Sequence, residues 1–102
     1  MGKMVPMQKV EIVIEALELP KVLAAIERAG ASGYTVIPHV MGRGERGVRS
    51  DGDLTDVFRN VLVIVVGSQA VIARIVETVA PLLATSAGIL VVSDAQSLEG
   101  HS

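Results

Sequence analysis

Two segments of the chain repeat one order, an alternating apolar stretch followed by apolar residues at helical spacing. In the first segment, Val10 to Ala16 alternates β-branched apolar residues with other side chains, which predicts a β-strand with one buried face. Pro20 suits the first turn of the helix that follows, and Gly30 suits its end. The apolar stripe of this helix comprises Val22, Leu23, Ile26 and Ala29.

The rest of the chain continues the same order. A second strand is predicted from Tyr34 to Val40, where Pro38 indicates an edge or irregular position. A third strand runs from Phe58 to Val66 and is apolar on both faces near its end. Ser68 can cap a second helix, and a fourth strand is predicted from Gly88 to Ser93. The stripe of the second helix comprises Val71, Ile72, Ile75, Val76 and Val79.

The resulting order, βαββαβ, predicts an α+β fold of the ferredoxin-like sandwich type, with a four-stranded antiparallel sheet and both helices on one face. We expect one domain over residues 1–102, ending in a polar tail at residues 95–102. The other sheet face then needs a cover. Half of the residues are hydrophobic although the chain has one Tyr and one Phe, which is more aliphatic surface than a small monomer needs. The sequence therefore predicts an oligomer.

A polar, glycine-rich segment at residues 41–57 interrupts the pattern and predicts a long loop. Arg43, Arg46 and Arg49 recur in it at three-residue intervals among glycines. Guanidinium groups bind phosphate or carboxylate through paired hydrogen bonds, and glycines let backbone N–H groups turn toward an anion. A loop of this length in a small domain is usually functional. Charge and glycine content alone leave two interpretations open, an anion site and a solvated polar loop.

Several classes of function are disfavoured by what the sequence contains. The absence of cysteine excludes disulfides, thiolate metal sites and thiol catalysis, and it suits a reducing cytoplasm. A net charge of −2 gives no attraction to nucleic acid or anionic lipid. The longest apolar run, Val61 to Val66, is far shorter than the ~20 residues of a membrane-spanning helix. We therefore expect a cytoplasmic protein that neither binds nucleic acid nor inserts into a membrane.

Catalytic and metal sites are also not indicated. No pairing of a nucleophile with a base is apparent, so we expect no enzymatic activity. Asp51, Asp53 and Asp56 begin like a calcium-binding loop, but no Glu stands at the twelfth position. We interpret them as the solvated end of the loop and expect no metal. His39 is interpreted as a hydrogen-bonded structural residue.

Particular segments resemble a known family. Lys9 to Ile14, Ala29-Gly30 and Gly33 to Val36 look like the opening of PII signalling proteins, and the similarity extends to Ser93. Gly42 to Gly52 resembles the T-loop of the carbon-related members, the SbtB type and the carboxysome-associated type called CPII. The segment Ala87 to Ile89 is also similar to that group.

The resemblance implies a homotrimeric signalling protein with a nucleotide site in each cleft between neighbouring subunits. ADP or AMP would bind there, with bicarbonate as a further ligand and no catalytic cofactor. Arg46 and Arg49 match T-loop arginines that close over phosphate or a small anion. The implied regulatory partner is a bicarbonate transporter or a carboxysome-related protein. The implied nucleotide-binding residues are Gly33, Tyr34, Thr35, Val36, Met41, Gly42, Arg43, Leu62, Val63, Ser86, Ala87, Gly88 and Ile89.

The chain also departs from the PII pattern. Thr85 to Gly88 lacks the basic, glycine-rich phosphate cradle, so AMP or ADP is expected in preference to ATP. The T-loop has no tyrosine for uridylylation. Two alternatives remain: a nitrogen-regulating PII protein that binds ATP and 2-oxoglutarate, and a ferredoxin-like structural or metal-tolerance trimer that binds no nucleotide.

Overall fold

The computed structural model describes residues 2–44, 47–48 and 59–99. A single 3-10 turn, Ala16–Glu18, links the first strand to the first helix. The strands and helices are β1 (Met4–Glu15), α1 (Leu19–Arg28), β2 (Thr35–Val40), β3 (Arg43–Gly44), β4 (Gly47–Val48), β5 (Asn60–Gly67), α2 (Gln69–Leu83) and β6 (Ile89–Leu98).

Four of the strands form one sheet in the order β2-β5-β1-β6, and every pairing within it is antiparallel. Both helices pack on one face of this sheet, where their apolar stripes join the strands in one core. The predicted ferredoxin-like sandwich is therefore confirmed. The fully buried side chains of this core include Val10, Ile12, Ile14, Val22, Ile26, Val63, Val65, Ile72, Ile75 and Val79.

The opposite sheet face, which we call the open face, carries no helix. Because paired residues of neighbouring strands share a face, the register assigns its members. Val13 pairs with Leu62 on β5 and with Ile89 on β6, and Ile37 pairs with the same Leu62. The apolar members are Val5, Met7, Val13, Ile37, Leu62, Ile64, Val66, Ile89, Val91 and Ala95. A single chain thus leaves a broad aliphatic surface in contact with solvent.

The helix ends follow the capping chemistry that the sequence predicts. The Ser68 side chain accepts a hydrogen bond from the Val71 backbone N–H at 3.2 Å, which caps α2. At the end of α1, Gly30 adopts φ 91°, a left-handed conformation that glycine tolerates best. Arg74 of α2 donates from Nε to the Ala29 carbonyl at 3.1 Å. This bond satisfies a terminal carbonyl of α1 and ties the two helices together.

The outer strands are longer than predicted. The first strand begins at Met4 instead of Val10, and β6 continues to Leu98. Residues 95–98 of the predicted polar tail therefore belong to a strand, and the assignment of 95–102 as a tail is wrong for them. They pair with Met4 to Met7, and the Glu99 N–H donates to the Lys3 carbonyl at 2.7 Å. Residues 100–102 lie outside the described residues.

Pro6 is accommodated in this extension because its ring nitrogen faces no neighbouring strand. The Glu99 to Lys3 bond and the register indicate that odd-numbered residues of β1 bond to β6. The even-numbered Pro6 therefore turns its nitrogen toward the β5 side. There β5 has already ended, since its last pair joins Gly67 to Gln8. The missing N–H removes no ladder bond.

The long connection at residues 41–57 contains some regular structure, contrary to the prediction of an unpatterned loop. Arg43–Gly44 pairs antiparallel with Gly47–Val48 as a minimal two-stranded ribbon. Residues 45–46 and 49–58 lie outside the described residues. These include Asp51, Asp53 and Asp56, whose predicted place in a solvated loop end is not tested.

Candidate functional site

One end of the sheet collects the root of the long connection, the entry to β5 and the turn before β6, whereas Gly33 to Thr35 lie at the start of β2, toward the other end. Strand directions bring the end of β2, the start of β5 and the start of β6 to the level where β1 ends. Met41 and Gly42 leave β2 there, and both are exposed. Arg59 leads into β5, and its carbonyl accepts a bond from the Ala16 N–H. The turn at residues 84–88 enters β6 at the same end. We call this the loop end of the sheet.

The β2 side supplies one half of the predicted nucleotide site. Gly33, Tyr34 and Thr35 are exposed, and Thr35 lies on the open face opposite Ile64. A Cβ atom built on Gly33 meets no atom within 4 Å among the described residues. Packing within the chain thus gives no reason for glycine at this position. Glycine is often found where a ligand or another backbone approaches closely.

A β-bulge changes the direction of β2 just before the long connection begins. Ile37 pairs with Leu62 and Val40 pairs with Asn60, so Pro38 and His39 together oppose the single residue Val61. His39 has φ 61°, an uncommon left-handed value for a residue other than glycine. The irregular position predicted from Pro38 is confirmed, and β2 is an edge strand as expected. Bulges of this kind bend a strand and redirect the chain that follows.

The turn before β6 supplies the other half of the predicted site. Ser86 donates its hydroxyl to the Leu82 carbonyl at 3.0 Å, and Thr85 donates to the same carbonyl at 3.3 Å. Both hydroxyl groups therefore cap the C-terminus of α2. A helix C-terminus carries partial negative charge, and the last turn of α2 holds no basic residue. Electrostatics thus make this turn a poor cradle for phosphate.

Gly88 is required by close packing. A Cβ atom there would collide with the Leu83 side chain and lie 3.1 Å from the Val13 carbonyl oxygen and 3.3 Å from Ile14 Cγ2. The turn is consequently pressed against β1 where Ile89, the first residue of β6, reaches the open face. Ile89 is 46 % exposed and pairs with Val13.

The two halves do not meet within one chain. Gly33 to Thr35 lie at the β2 edge of the sheet, while Ser86 to Ile89 lie at the β6 edge. Strands β5 and β1 intervene, which places three inter-strand spacings, roughly 14 Å, between the outer strands. The halves can adjoin only if the β2 edge of one copy lies beside the β6 edge of another.

The structure also bears on individual residues of the predicted nucleotide site. Val63 is 0 % exposed and its side chain faces the helix-covered core, so only its backbone could line a ligand site, and its assignment stays a prediction. Its neighbour Leu62 points to the open face, as a strand period of two requires. Val36 pairs with Val63 and its side chain packs against the core. Arg46 and Arg49 lie outside the described residues, and for Arg43 the structure gives its place in β3 alone.

Sequence reasoning missed three apolar residues beside the predicted site. Ile37, Val13 and Val91 lie on the open face, and Val91 is 48 % exposed. The two-residue period of each strand is the signal that could have found Ile37, which is two residues beyond Thr35. For Val13 and Val91, the strand order was also needed.

Other kinds of site find no support in the described part of the chain. No group of three or more His, Asp or Glu side chains there could hold a metal ion. Neither described helix is long and apolar enough to cross a membrane. A cavity of about 270 Å³ lies between α1 and α2 on the side away from the sheet, lined by Lys21, Ala24, Ala25, Arg28, Thr78 and Leu82. It includes none of the predicted site residues.

The fold and the long connection at the loop end define a PII-like regulator. The chain belongs to the nitrogen regulatory protein P-II family, whose pattern matches residues 7–101. The resemblance seen in the sequence is thereby confirmed.

Solved structures support the same conclusion. CPII of Thiomonas intermedia, bound to ADP and bicarbonate, superposes with a TM-score of 0.81 at 26 % identity, over 93 % of this chain and 91 % of that one. A PII-like signalling protein of Thermus thermophilus gives 0.76 at 28 % identity, over 96 % and 95 %. GlnK of B. subtilis gives 0.65 at 22 % identity, over 89 % and 86 %, and shares the fold. The structural neighbours include the CPII group that the T-loop segment resembles.

Proposed function

We propose that this chain is a non-enzymatic PII-like signalling protein that binds ADP or AMP, together with bicarbonate, in the clefts of a homotrimer. The proposed ligands are those of CPII, which has been solved with ADP and bicarbonate and with ADP, AMP and bicarbonate. The proposed output is regulation of inorganic-carbon uptake or of carboxysome-linked carbon fixation in the cytoplasm. A bicarbonate transporter or a carboxysome-related protein would be the partner that reads the T-loop.

The observation that carries this proposal is the separation of the two half-sites. The residues proposed for one half belong to the β2 edge and those proposed for the other half to the β6 edge, at opposite sides of the sheet. An aliphatic open face joins these edges and, in a single chain, is left to solvent. Burial of that face between copies would remove it from water and bring unlike edges together. Each cleft would then contain Gly33 to Thr35 of one copy and Ser86 to Ile89 of the next.

The chemistry of the cleft favours a nucleotide with few phosphates. Leu62, Ile37 and Ile89 offer an aliphatic surface that an adenine ring can pack against. The turn before β6 offers the negative end of α2 and hydroxyls already bonded to Leu82. Phosphate would therefore depend on the loop arginines, Arg46 and Arg49. ADP and AMP carry fewer phosphate groups than ATP, so fewer contacts from these two arginines are needed to bind them.

Bicarbonate is proposed to act with the nucleotide in ordering the loop. Hydrogen bonds to charged groups contribute roughly 1.5–3 kcal/mol each. Ordering the backbone of one loop residue costs about 1–2 kcal/mol. Two anionic ligands that share the arginines can thus hold a segment that neither would hold alone, which is positive coupling between their binding equilibria.

Calorimetric titration of ADP with and without bicarbonate tests this coupling. We expect a lower Kd for ADP when bicarbonate is present, and a lower Kd for bicarbonate when ADP is present. An unchanged ADP affinity would remove bicarbonate from the proposal. ATP binding that is strengthened by 2-oxoglutarate would favour the nitrogen-regulating alternative. Absence of a thermal shift with AMP, ADP and ATP would favour the structural trimer.

Loss of the loop arginines tests their assignment. In the double variant Arg46→Ala and Arg49→Ala, ADP binding is expected to weaken and the effect of bicarbonate to disappear, while the trimer persists. The matched control is Lys21→Ala with Arg28→Ala, which removes two positive charges from the exposed surface of α1. Equal loss of affinity in both double variants would indicate a general charge effect and would contradict the assignment.

A further inference from the structure

Two charged residues lie in the middle of the largely aliphatic open face. Lys9 and Glu11 stand two apart on β1 and form an ion pair, with Lys9 Nζ 3.8 Å from Glu11 Oε1. Glu11 lies between Ile64 on β5 and Val91 on β6, and Lys9 lies beside Val66. Both side chains remain 38 % exposed in the single chain. Among the described strands of the sheet, the alternation places only one other charged side chain on this face, at the end of β1.

Such a pair has little value for the stability of a single chain. Exposed ion pairs contribute about 0–1 kcal/mol. On a sheet face that stays in water, two such charges would serve solubility. Their position becomes meaningful when a second apolar surface covers the face and removes water from both groups.

When a second surface covers the open face, the Lys9–Glu11 pair discriminates among the registers in which that surface can pack. A buried charge without an opposite partner is strongly destabilising, whereas a buried and well-paired charge is tolerated. Aliphatic surfaces by themselves pack in many registers, since the hydrophobic effect is non-directional. Within one chain the two charges lie 3.8 Å apart, longer than the roughly 2.7–2.9 Å of a strong charge-assisted hydrogen bond, so burial leaves both groups in need of further partners. A second copy that brings unlike charges together supplies those partners, whereas one that brings like charges together adds repulsion. Single buried polar positions fix register in coiled coils by the same means.

We propose that the Lys9–Glu11 pair fixes the register in which a second copy of this chain packs on the open face, with Lys9 of one copy opposite Glu11 of the next. This inference rests on the trimer of the proposed function and adds a determinant for it. A register fixed in this way would also fix how the β2 edge of one copy meets the β6 edge of its neighbour. The pair thereby controls the geometry of the nucleotide cleft from a distance, as a positioning element that need not touch the ligand.

Charge reversal tests the inference. Lys9→Glu and Glu11→Lys each place like charges opposite one another and are expected to shift the trimer toward monomer in sedimentation velocity at micromolar concentration. The exchange of both residues restores one charge of each sign per copy and is expected to restore the trimer. Lys21→Glu and Glu27→Lys are the matched controls, because they make the same changes in net charge on the exposed surface of α1.

A variant without the two charges distinguishes an effect on the packing register from an effect on folding. Lys9→Met with Glu11→Met keeps the face apolar, so association is expected to persist while the single trimeric species gives way to several and fewer ADP sites are titrated. One homogeneous trimer with wild-type ADP affinity would overturn the inference, as would reversal variants that remain fully trimeric. A monomeric wild-type chain would refute the trimer itself and hence the proposed function.

Discussion

Gly88 and Gly33 are glycines for different physical reasons. At Gly88 a methyl group would press on the Val13 carbonyl oxygen, 3.1 Å from the added Cβ, and on the Leu83 side chain. Leu83 can rotate away, but the Val13 carbonyl belongs to a paired strand. At Gly33 no described atom lies within 4 Å of an added Cβ.

The first prediction concerns stability at these two positions. Gly88→Ala is expected to lower the free energy of unfolding by about 1–3 kcal/mol, the usual cost of overpacking. Gly33→Ala is expected to leave it unchanged within about 0.5 kcal/mol, or to raise it slightly through reduced entropy of the unfolded chain. Urea unfolding followed by circular dichroism measures both values. Equal destabilisation of the two variants would contradict the packing described at Gly88.

The second prediction uses the same Gly33→Ala protein to test the site. If Gly33 lines the proposed cleft, the methyl group occupies space reserved for the ligand. We expect Kd for ADP to rise about fivefold or more, corresponding to about 1 kcal/mol, in a protein of unchanged stability and mass. Calorimetric titration measures the affinity. Wild-type affinity in this variant would remove Gly33 from the site.

At the level of elements, the extension that joins β1 to β6 differs most from the prediction. Met4 to Met7 and Ala95 to Leu98 are held to the sheet through their mutual backbone pairing, because β5 ends at Gly67. The Glu99 to Lys3 bond implies that Ser97 directs its N–H toward β1 and that Gln96 directs its own away from the sheet.

This alternation gives the third prediction. Ser97→Pro removes a ladder hydrogen bond and is expected to lower the unfolding free energy by about 1–3 kcal/mol. Gln96→Pro places the same ring where an edge strand tolerates it and is expected to cost less than about 1 kcal/mol. Thermal unfolding and hydrogen exchange at Met4 to Met7 report the effect. A larger cost for Gln96→Pro would contradict the register.

The sequence allowed the helices to be predicted better than the strand ends. Ser68, Pro20 and Gly30 mark helix termini through local chemistry, and the structure agrees with each. Residues Met4 to Met7 and Ala95 to Leu98 show no comparable signal. Their pairing joins opposite ends of the chain through backbone groups, which carry no residue-specific pattern.

The candidate site was predicted less completely, because register is a property of the assembled sheet. Leu62 and Val63 are equally apolar in the sequence, and only the strand pairing shows that the former faces outward and the latter faces the core. Val13 and Val91 were missed for the same reason. The separation of the half-sites likewise depends on the strand order, which the element order alone did not reveal.

At the scale of the whole molecule, the open face and the divided site lead to one conclusion. The aliphatic sheet face is left to solvent in a single chain, and the residues proposed for the nucleotide site belong to opposite edges of the sheet. The proposed closed ring of copies would account for both features, because each copy would contribute its β2 edge to one cleft and its β6 edge to another. The central claim is therefore that every nucleotide site contains residues of two copies.

Mixing two defective variants tests this claim most directly. Gly33→Glu alters the β2 half and Ala87→Glu alters the β6 half, so the homotrimer of either variant is expected to bind no ADP. After subunit exchange, each mixed trimer contains one cleft whose two halves are both unaltered. Calorimetry on the exchanged mixture is expected to show ADP binding at wild-type affinity with a reduced number of sites. Absence of recovery, with exchange verified by native mass spectrometry, would contradict the claim.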